Sequence, residues 1–384
     1  MVKIWNKHKQ INTTLKPKVF VALSGGVDSS VAAALLKESG FDVTGVHIKM
    51  WSDPSIPCTT KEDRLDAMRV AASLNIPFET WDFTQDYKRS VVDYMIREYS
   101  RGLTPNPDVM CNKEIKFGIF LKTALQRGAD FVATGHYVRL RRHNTNLQMN
   151  SNATNTIRGI REKFASFALY SARDAQKDQS YFLWTLTPEQ LKRCIFPIGD
   201  YTKPEVRVLA RKYKLPTAEK KDSQGLCFMG KIDVREFLKT YIPERRGLVV
   251  TASGKKIGEH GGLEFYTLGQ RRGISIGGGT PYYVAEKDFA TNTLVVADGK
   301  NDPRLNRNSL IAEELSWTSG AAPDLPIRSE ARIRYRHELQ PCRLEKVSEN
   351  GVKVLFDTPE HAITPGQSIV FYKGERLLGG GIIQ

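Results

Sequence analysis

An α/β fold, with a doubly wound parallel sheet followed by a small central domain and a C-terminal β-barrel, is what the order of elements in this chain predicts. Short apolar runs alternate with amphipathic helical stretches from Val19 to Thr134, as βα units packed on a parallel sheet do. From about Val249 the texture changes to short strands separated by Gly, Pro and Asn, the signature of an all-β unit. The length of 384 residues, 40% of them hydrophobic, exceeds one ordinary core and suggests two or three domains.

In order, Val19–Leu23 reads as a strand, and Ser29–Leu36, rich in Ala and Leu, as the helix after it. Val43–Ile48 and Ile76–Phe83 read as strands around a helix at Arg64–Leu74. Tyr87–Tyr99 and Glu114–Gln126 follow as helices and Phe131–Thr134 as a strand. Periodicity stops between Arg141 and Lys163, where Asn144, Asn146, Asn150, Asn152 and Asn155 mark a polar insertion. Later strands are expected at Thr293–Val296, Ala331–Arg336, Val352–Phe356 and Ser368–Tyr372. The resulting division is 17–214 for the α/β domain, 215–298 for a central linker domain and 299–384 for the barrel.

Charge narrows the function classes. Lys and Arg number 57 against 42 Asp and Glu, a net +15, which points to a polyanionic partner, nucleic acid before membrane. No apolar run approaches the ~18 residues of a membrane span. The five cysteines, Cys58, Cys111, Cys194, Cys227 and Cys342, are too far apart for a CxxC metal knuckle. Their odd number argues against a secreted disulfide scaffold. The first eighteen residues hold five lysines and no acid, but no Arg or Ser either. They read equally as a basic tail or a targeting segment.

The strongest local signal is Leu23-Ser-Gly-Gly-Val-Asp-Ser-Ser30 between a strand and a helix. Ser24, Gly25 and Gly26 let backbone N–H groups approach an anion, and the helix N-terminus adds partial positive charge. Asp28 is odd beside phosphate unless it orients a metal or caps the helix. The stretch Gly225–Lys231 matches Walker A spacing, but Ile232 stands where Ser or Thr must hold Mg²⁺, so it is set aside.

Two thiol settings stand out. In Pro105–Lys113 two prolines stiffen the turn that presents Asn106, Asp108 and Cys111. Cys111 lies near a helix N-terminus, where a thiolate is favoured. Asp108 can be a general acid/base or a cap. Cys227 sits in a Gly-bounded loop after Lys220 and Lys221, a setting that suits a reactive thiol, with burial between Leu226 and Phe228 nearly as good a reading locally. Cys58, Cys194 and Cys342 read as structural. In Ala331–Arg336 three arginines, Arg332, Arg334 and Arg336, alternate onto one strand face, fitting either an RNA contact or a charge-protected edge strand.

The SGGVDSS segment at 24–30 resembles the PP-loop of the ATP pyrophosphatases, which adenylate an oxygen and release pyrophosphate. With TPNPDVMCNKEIKFG (104–118), ATGHY (133–137), KDQSYFL (177–183), FPIGDYTKPEVR (196–207), DSQGLCFMG (222–230), YTLGQRRG (266–273), TPGQ (364–367) and FYKGE (371–375), the chain resembles the tRNA-specific 2-thiouridylase family from end to end. The resemblance implies 2-thiolation of the tRNA wobble uridine. Ala22, Leu23, Ser24, Gly25, Gly26, Val27, Asp28 and Ser29, with Ile48 and Gly135, would bind ATP with Mg²⁺ on its phosphates. Asn106, Pro107 and Asp108 would meet the target base, Asp108 as acid/base. Cys227 would carry sulfur as a persulfide, and Cys111 would attack or resolve it, leaving a Cys111–Cys227 disulfide. Lys177, Asp178, Gln179, His136 and Gln367 would lie against tRNA, with Arg334 from the barrel.

A persulfide donor, either a cysteine desulfurase or a relay protein, is implied as partner. The Asn-rich insertion and acid-free N-terminus lean towards mitochondria over bacterial cytoplasm. Three alternatives stand beside this reading: a PP-loop ligase for a small molecule, a non-catalytic tRNA-binding protein, and an iron–sulfur cluster on Asp108, Cys111 and Cys227.

Overall fold

The alternating pattern folds as a parallel sheet. The computed structural model describes residues 16–53, 60–143, 166–221, 233–274 and 281–384. In chain order its first strands are β1 (Lys18–Ala22), β2 (Asp42–Lys49), β3 (Phe78–Asp82) and β4 (Phe131–Ala133), then the hairpin strands β5 (Arg139–His143) and β6 (Ser166–Tyr170), then β7 (Cys194–Ile195). The sheet order is β3-β2-β1-β4-β7, all parallel. Strand order reverses between β1 and β4, so their C-terminal ends open the crevice in which doubly wound sheets bind ligands. Val19, Val21 and Val132 are fully buried in this sheet.

Helices cover the sheet: α1 (Val27–Glu38), α2 (Thr60–Ser73), α3 (Asp93–Ser100), α4 (Phe120–Gln126) and α5 (Lys203–Lys212). The stretch expected as one helix over Tyr87–Tyr99 starts at Thr84 and is wound as a π-helix over Lys88–Val92 before α3. That expected from Glu114 starts with one α-turn at Pro107–Met110 and is π-helical over Cys111–Ile119 before α4. Apolar spacing does not distinguish these windings, and π segments often mark functional sites. The insertion is also shorter than expected at its start. Arg141 belongs to β5 and pairs with Asp200.

The central domain contributes α6 (Val234–Lys239), β8 (Gly247–Thr251), β9 (Lys256–His260), β10 (Tyr282–Asp288) and β11 (Thr293–Asp298). They form a sheet in the order β10-β11-β8-β9. Six antiparallel strands follow: β12 (Asn306–Trp317), β13 (Ile327–Arg332), β14 (Gln340–Lys346), β15 (Val352–His361), β16 (Ser368–Lys373) and β17 (Arg376–Ile383). Their order β12-β15-β14-β13-β16-β17 is closed by a β12–β17 pairing, which makes a barrel around Leu344, Val354, Ile369 and Phe371. Closure removes free edges, and the β5–β6 hairpin joins the barrel wall along β17.

The expected strand at Ala331–Arg336 is corrected. β13 ends at Arg332, the chain turns, and Arg336 takes φ +64°. The three arginines therefore share no strand face. Arg332 binds Asp178, Arg334 donates to the Ala362 carbonyl and Thr364, and Arg336 lies over the Tyr335 ring.

Candidate active site

β1 delivers the chain into Leu23–Gly26 at the crevice. Gly25 has φ +76°, and a Cβ there would sit 2.2 Å from the Asp63 carbonyl oxygen at the start of α2, so only glycine fits. Gly26 is the residue before α1 and caps it without a side chain, so neither Asp28 nor Ser29 is the cap. Ser24 and Ser29 pair through their hydroxyls at 3.2 Å, and Ser29 and Ser30 both donate to the Gly26 carbonyl. The loop is thus braced from within. It leaves the first N–H groups of α1 at the crevice mouth, where an α-helix has no partner of its own for them.

β4 delivers the other wall, the strap Thr134–Tyr137. Gly135 packs so closely that a Cβ would meet the Ser29 amide nitrogen at 2.5 Å. Ile48, near the end of β2, is half-buried beside the same crevice, and His47 ties β2 to the loop at 3.2 Å from the Leu23 carbonyl. Asp28 has a partner that local sequence did not announce. Lys203, at the start of α5, places its Nζ 2.8 and 2.9 Å from the two carboxylate oxygens, and the Tyr137 hydroxyl donates to Asp28 at 2.8 Å. The Asp28 carboxylate is thus paired beside the glycine loop, with the Lys203 ammonium at the loop's mouth. The residues fit a nucleoside triphosphate: a glycine turn, a helix N-terminus and a lysine.

The second half of the site is the turn before the π-helix. Asn106 caps it, its side-chain oxygen accepting from the Val109 amide at 3.2 Å, with Pro107 at the first helical position. Asp108 lies in the first turn. Burial pushes its carboxyl above the usual range, and the Lys116 ammonium partly opposes this. Cys111 opens the π-helix and is 3% exposed, one turn after Asp108. Asn112 donates to the Asp108 carbonyl at 2.9 Å. Its own buried side-chain oxygen has no hydrogen-bond partner among the described residues, a vacancy for a donor.

The strap joins the two halves. His136 is buried against Phe117 of the π-helix, with ring centroids 5.9 Å apart, and against Phe196. Thr134 is 2.7 Å from its Nδ1, and burial first, then the Lys116 charge, holds its pKa well below the usual value. His136 is thus a buried, neutral ring packed against two aromatic ones.

Others in the expected RNA-facing set also have internal partners. Asp178 is buried; its carboxylate accepts from the Ala172 and Ser180 amides and the Ser180 hydroxyl, and pairs with Arg332 of the barrel at 3.2 Å. Its side chain is 1% exposed and faces the protein interior. Gln179 accepts from the Tyr137 amide, and Gln367 donates to the Thr104 and Pro105 carbonyls at 2.8 and 3.1 Å. Lys177 is half-buried in the turn before Asp178.

Of the cysteines read as structural, Cys194 and Cys342 are buried, with burial pushing both thiols up, Cys342 to about 12. Cys58, Cys227 and the Walker-like stretch 225–231 lie outside the described residues, as does the Asn-rich run 144–155. Lys220, before the undescribed stretch, pairs with Asp63 and Asp66 at 2.8 and 2.7 Å. Among the described residues no helix is long and apolar enough to cross a membrane, and no cluster of three or more His, Cys, Asp or Glu is placed to hold a metal.

Comparison with known proteins bears on the same geometry. Residues 17–231 match the family described as tRNA methyl transferase HUP domain, 235–298 the tRNA methyl transferase PRC-barrel domain, and 307–383 the aminomethyltransferase β-barrel domain. The chain is 46% identical over 376 residues to the tRNA-specific 2-thiouridylase MnmA of Thiobacillus denitrificans, covering 96% of this chain and 100% of that one. It is 46% identical to the protein of that name from Neisseria meningitidis serogroup B, covering 97% of each. For the Pseudomonas fluorescens protein the identity is 44%, over 97% of this chain and 96% of that one. These relatives are bacterial and lend no support to the mitochondrial expectation. Among solved structures, the U34-tRNA thiolase NcsA of Methanococcus maripaludis aligns at 20% identity and TM-score 0.35, over 63% of this chain and 72% of that one, too distant to bear on chemistry. On the family model and the full-length identity together, the chain belongs to the tRNA-specific 2-thiouridylase family.

Proposed function

We propose that this chain, a tRNA-uridine 2-sulfurtransferase by family, thiolates C2 of a tRNA uridine in two steps run in the crevice between Gly25 and Asp108. One observation carries the reading. The strap Thr134–Tyr137 touches the nucleotide loop through Gly135 and the Asp108–Cys111 helix through His136, so an activating nucleotide and an acid/base–thiol pair share one cleft.

ATP is the first co-substrate, its phosphates held by the Ser24–Gly26 amides, the α1 N-terminus and Lys203, and Mg²⁺ would neutralise part of their charge. The uracil C2 oxygen attacks the α-phosphorus, the bond to the β-phosphate oxygen breaks, and pyrophosphate leaves. Asp108 takes the N3 proton as charge moves onto that oxygen, and its raised carboxyl makes it a better base than an exposed aspartate. The half-buried Asn106–Asp108 turn, with the open acceptor of Asn112, suits a base turned out of its stack.

Sulfur then arrives as a Cys227 persulfide, loaded by a cysteine desulfurase or relay protein. Its terminal sulfur attacks C2 and AMP leaves, so that C2 is joined to Cys227 through an S–S bond. The Cys111 thiolate attacks the Cys227 sulfur, the S–S bond to C2 breaks, and 2-thiouridine leaves. The two thiols end as a Cys111–Cys227 disulfide, which an external thiol reduces for the next turnover. The basic excess of the chain supplies attraction for tRNA.

The test is nucleoside mass spectrometry of unmodified tRNA incubated with the protein, ATP, Mg²⁺ and a persulfide source. An ATP-dependent 2-thiouridine peak is expected from the wild type and none from Cys111→Ser or Cys227→Ser, with tRNA-dependent pyrophosphate release persisting in both. A full peak from either variant would remove the two-thiol scheme. Release of pyrophosphate with a small molecule instead of tRNA would move the chain to ligase chemistry.

A further inference from the structure

The segment Gly102–Pro105 runs directly into Asn106–Asp108, and all three domains hold it by its backbone. The α/β domain ends α3 there with a left-handed Gly102 at φ +77°, the Leu103 amide reaching back to the Glu98 carbonyl at 3.0 Å. From the barrel, the Pro365 carbonyl accepts from the Thr104 amide at 3.0 Å, Gln367 donates to the Thr104 and Pro105 carbonyls, and a Cβ on Gly366 would meet the Thr104 nitrogen at 2.8 Å. From the central domain, the Thr267 hydroxyl lies 3.2 Å from that of Thr104, and the Phe289 ring covers Gly102 so closely that a Cβ there would sit 2.1 Å from it.

Lys287 of β10 completes the enclosure. Its ammonium donates to the Gly102 carbonyl at 2.5 Å and to the Tyr266 carbonyl at 2.9 Å, and lies 5.9 Å from the centre of the Phe289 ring. Among the described residues no carboxylate is within ion-pairing distance of it. Burial lowers its pKa to about 8, with Glu264 partly opposing. A desolvated ammonium facing two carbonyls is costly to keep, and an apolar side chain would fill the space more cheaply. What Lys287 does that a methionine does not is fix the Gly102 carbonyl, and through it the pitch of the turn that presents Asp108 and Cys111.

We propose that Lys287 is a positioning residue of the thiolation reaction, acting from the central domain through the Gly102 carbonyl on the Asp108–Cys111 turn, in opposition to Gln367 acting from the barrel. The inference rests on the reading that Asp108 and Cys111 do the chemistry. It requires that the central domain contribute geometry to the site through Lys287 rather than serve only as a spacer.

The experiment uses the full chain as wild type, Lys287→Met, Lys287→Arg, Gln367→Ala and the Lys287→Met/Gln367→Ala pair. Single-turnover thiolation at saturating ATP and tRNA is compared with tRNA affinity, melting temperature and amide hydrogen exchange over residues 103–112. Lys287→Met is expected to slow thiolation about tenfold to a hundredfold, the loss that ~1 Å of misplacement brings. Its tRNA affinity should stay within about twofold and its melting temperature near that of wild type, while exchange in 103–112 quickens. Lys287→Arg, which keeps the charge and donors, should recover part of the rate. The double variant should lose less than the product of the single losses, because both residues set one turn.

Wild-type rate and unchanged exchange in Lys287→Met would overturn the proposal. So would a rate loss matched by an equal loss of tRNA affinity or of folded protein. If the wild type made no 2-thiouridine, the functional reading would fall by itself, and the exchange comparison would still decide whether Lys287 holds the turn.

Discussion

The crevice at the end of the parallel sheet and the junction where the barrel and central domain meet it work in opposite ways. At the crevice the chemistry belongs to the main chain: Gly25 turns where a Cβ cannot go, Gly135 closes to the Ser29 amide, and α1 offers its N-terminus. At the junction it belongs to side chains that reach across the molecule: Asp178 to Arg332, Gln367 to Thr104 and Lys287 to Gly102. A main-chain site is written in consecutive residues. A side-chain junction is written in pairs that are separated by 154, 263 and 185 positions.

The comparison is most sharply broken at Gly135. Gly135→Ala must push the strap off α1, since the added carbon would lie 2.5 Å from one backbone nitrogen and 2.8 Å from the Asp28 carbonyl carbon. A shift of about 1 Å in the nucleotide wall is expected to lower tRNA-dependent pyrophosphate release by roughly a hundredfold. Binding of tRNA, measured by filter retention, should change far less. Equal losses in both would mean that the strap serves RNA and nucleotide alike, and the division between the two regions would dissolve.

At the junction the expected currency is stability. Asp178→Ala leaves Arg332, whose side chain is only 15% exposed, without its carboxylate, and strips the Ala172 and Ser180 amides of their acceptor. Breaking a buried pair from one side costs about 3–5 kcal/mol, to be read in urea unfolding monitored by circular dichroism. Loss of tRNA affinity at unchanged stability would instead make Asp178 an RNA contact.

How much of this was readable follows the same line. The parallel sheet, the SGGVDSS turn and its helix, and the presentation of Asp108 and Cys111 on a proline-stiffened turn are local, and apolar spacing with Gly and Pro positions suffices to find them. The π-helical winding over Cys111–Ile119 is not, because no residue type or local spacing announces i→i+5 bonding in advance. Lys203 lay in view inside FPIGDYTKPEVR, but nothing nearby says that its partner is Asp28. Arg332, Arg334 and Arg336 misled for a related reason. Alternation predicts one strand face, whereas β13 stops at Arg332 and the three side chains turn to Asp178, Ala362 and Tyr335.

The smallest expected effect on stability joins the two regions at Asp108, which stands at the proposed site and is turned towards the protein interior. Burial raises its carboxyl pKa above the unfolded value, near 3.9 for an aspartate. Below that unfolded value the group is protonated in both states and stability is unaffected. As pH rises through the folded pKa, the folded state must ionise a carboxyl that the unfolded chain ionises more easily, and stability is lost. Asp108→Asn should therefore melt slightly higher than wild type at pH 7, with the gap closing as pH falls below about 4. The same variant should thiolate about 10²–10⁴ times more slowly, the usual worth of a positioned acid/base. A residue whose removal stabilises the fold while stopping the reaction is held for chemistry. If Asp108→Asn were instead less stable at pH 7, the carboxylate would be holding the turn together, and the acid/base role would have to pass to another group in the cleft.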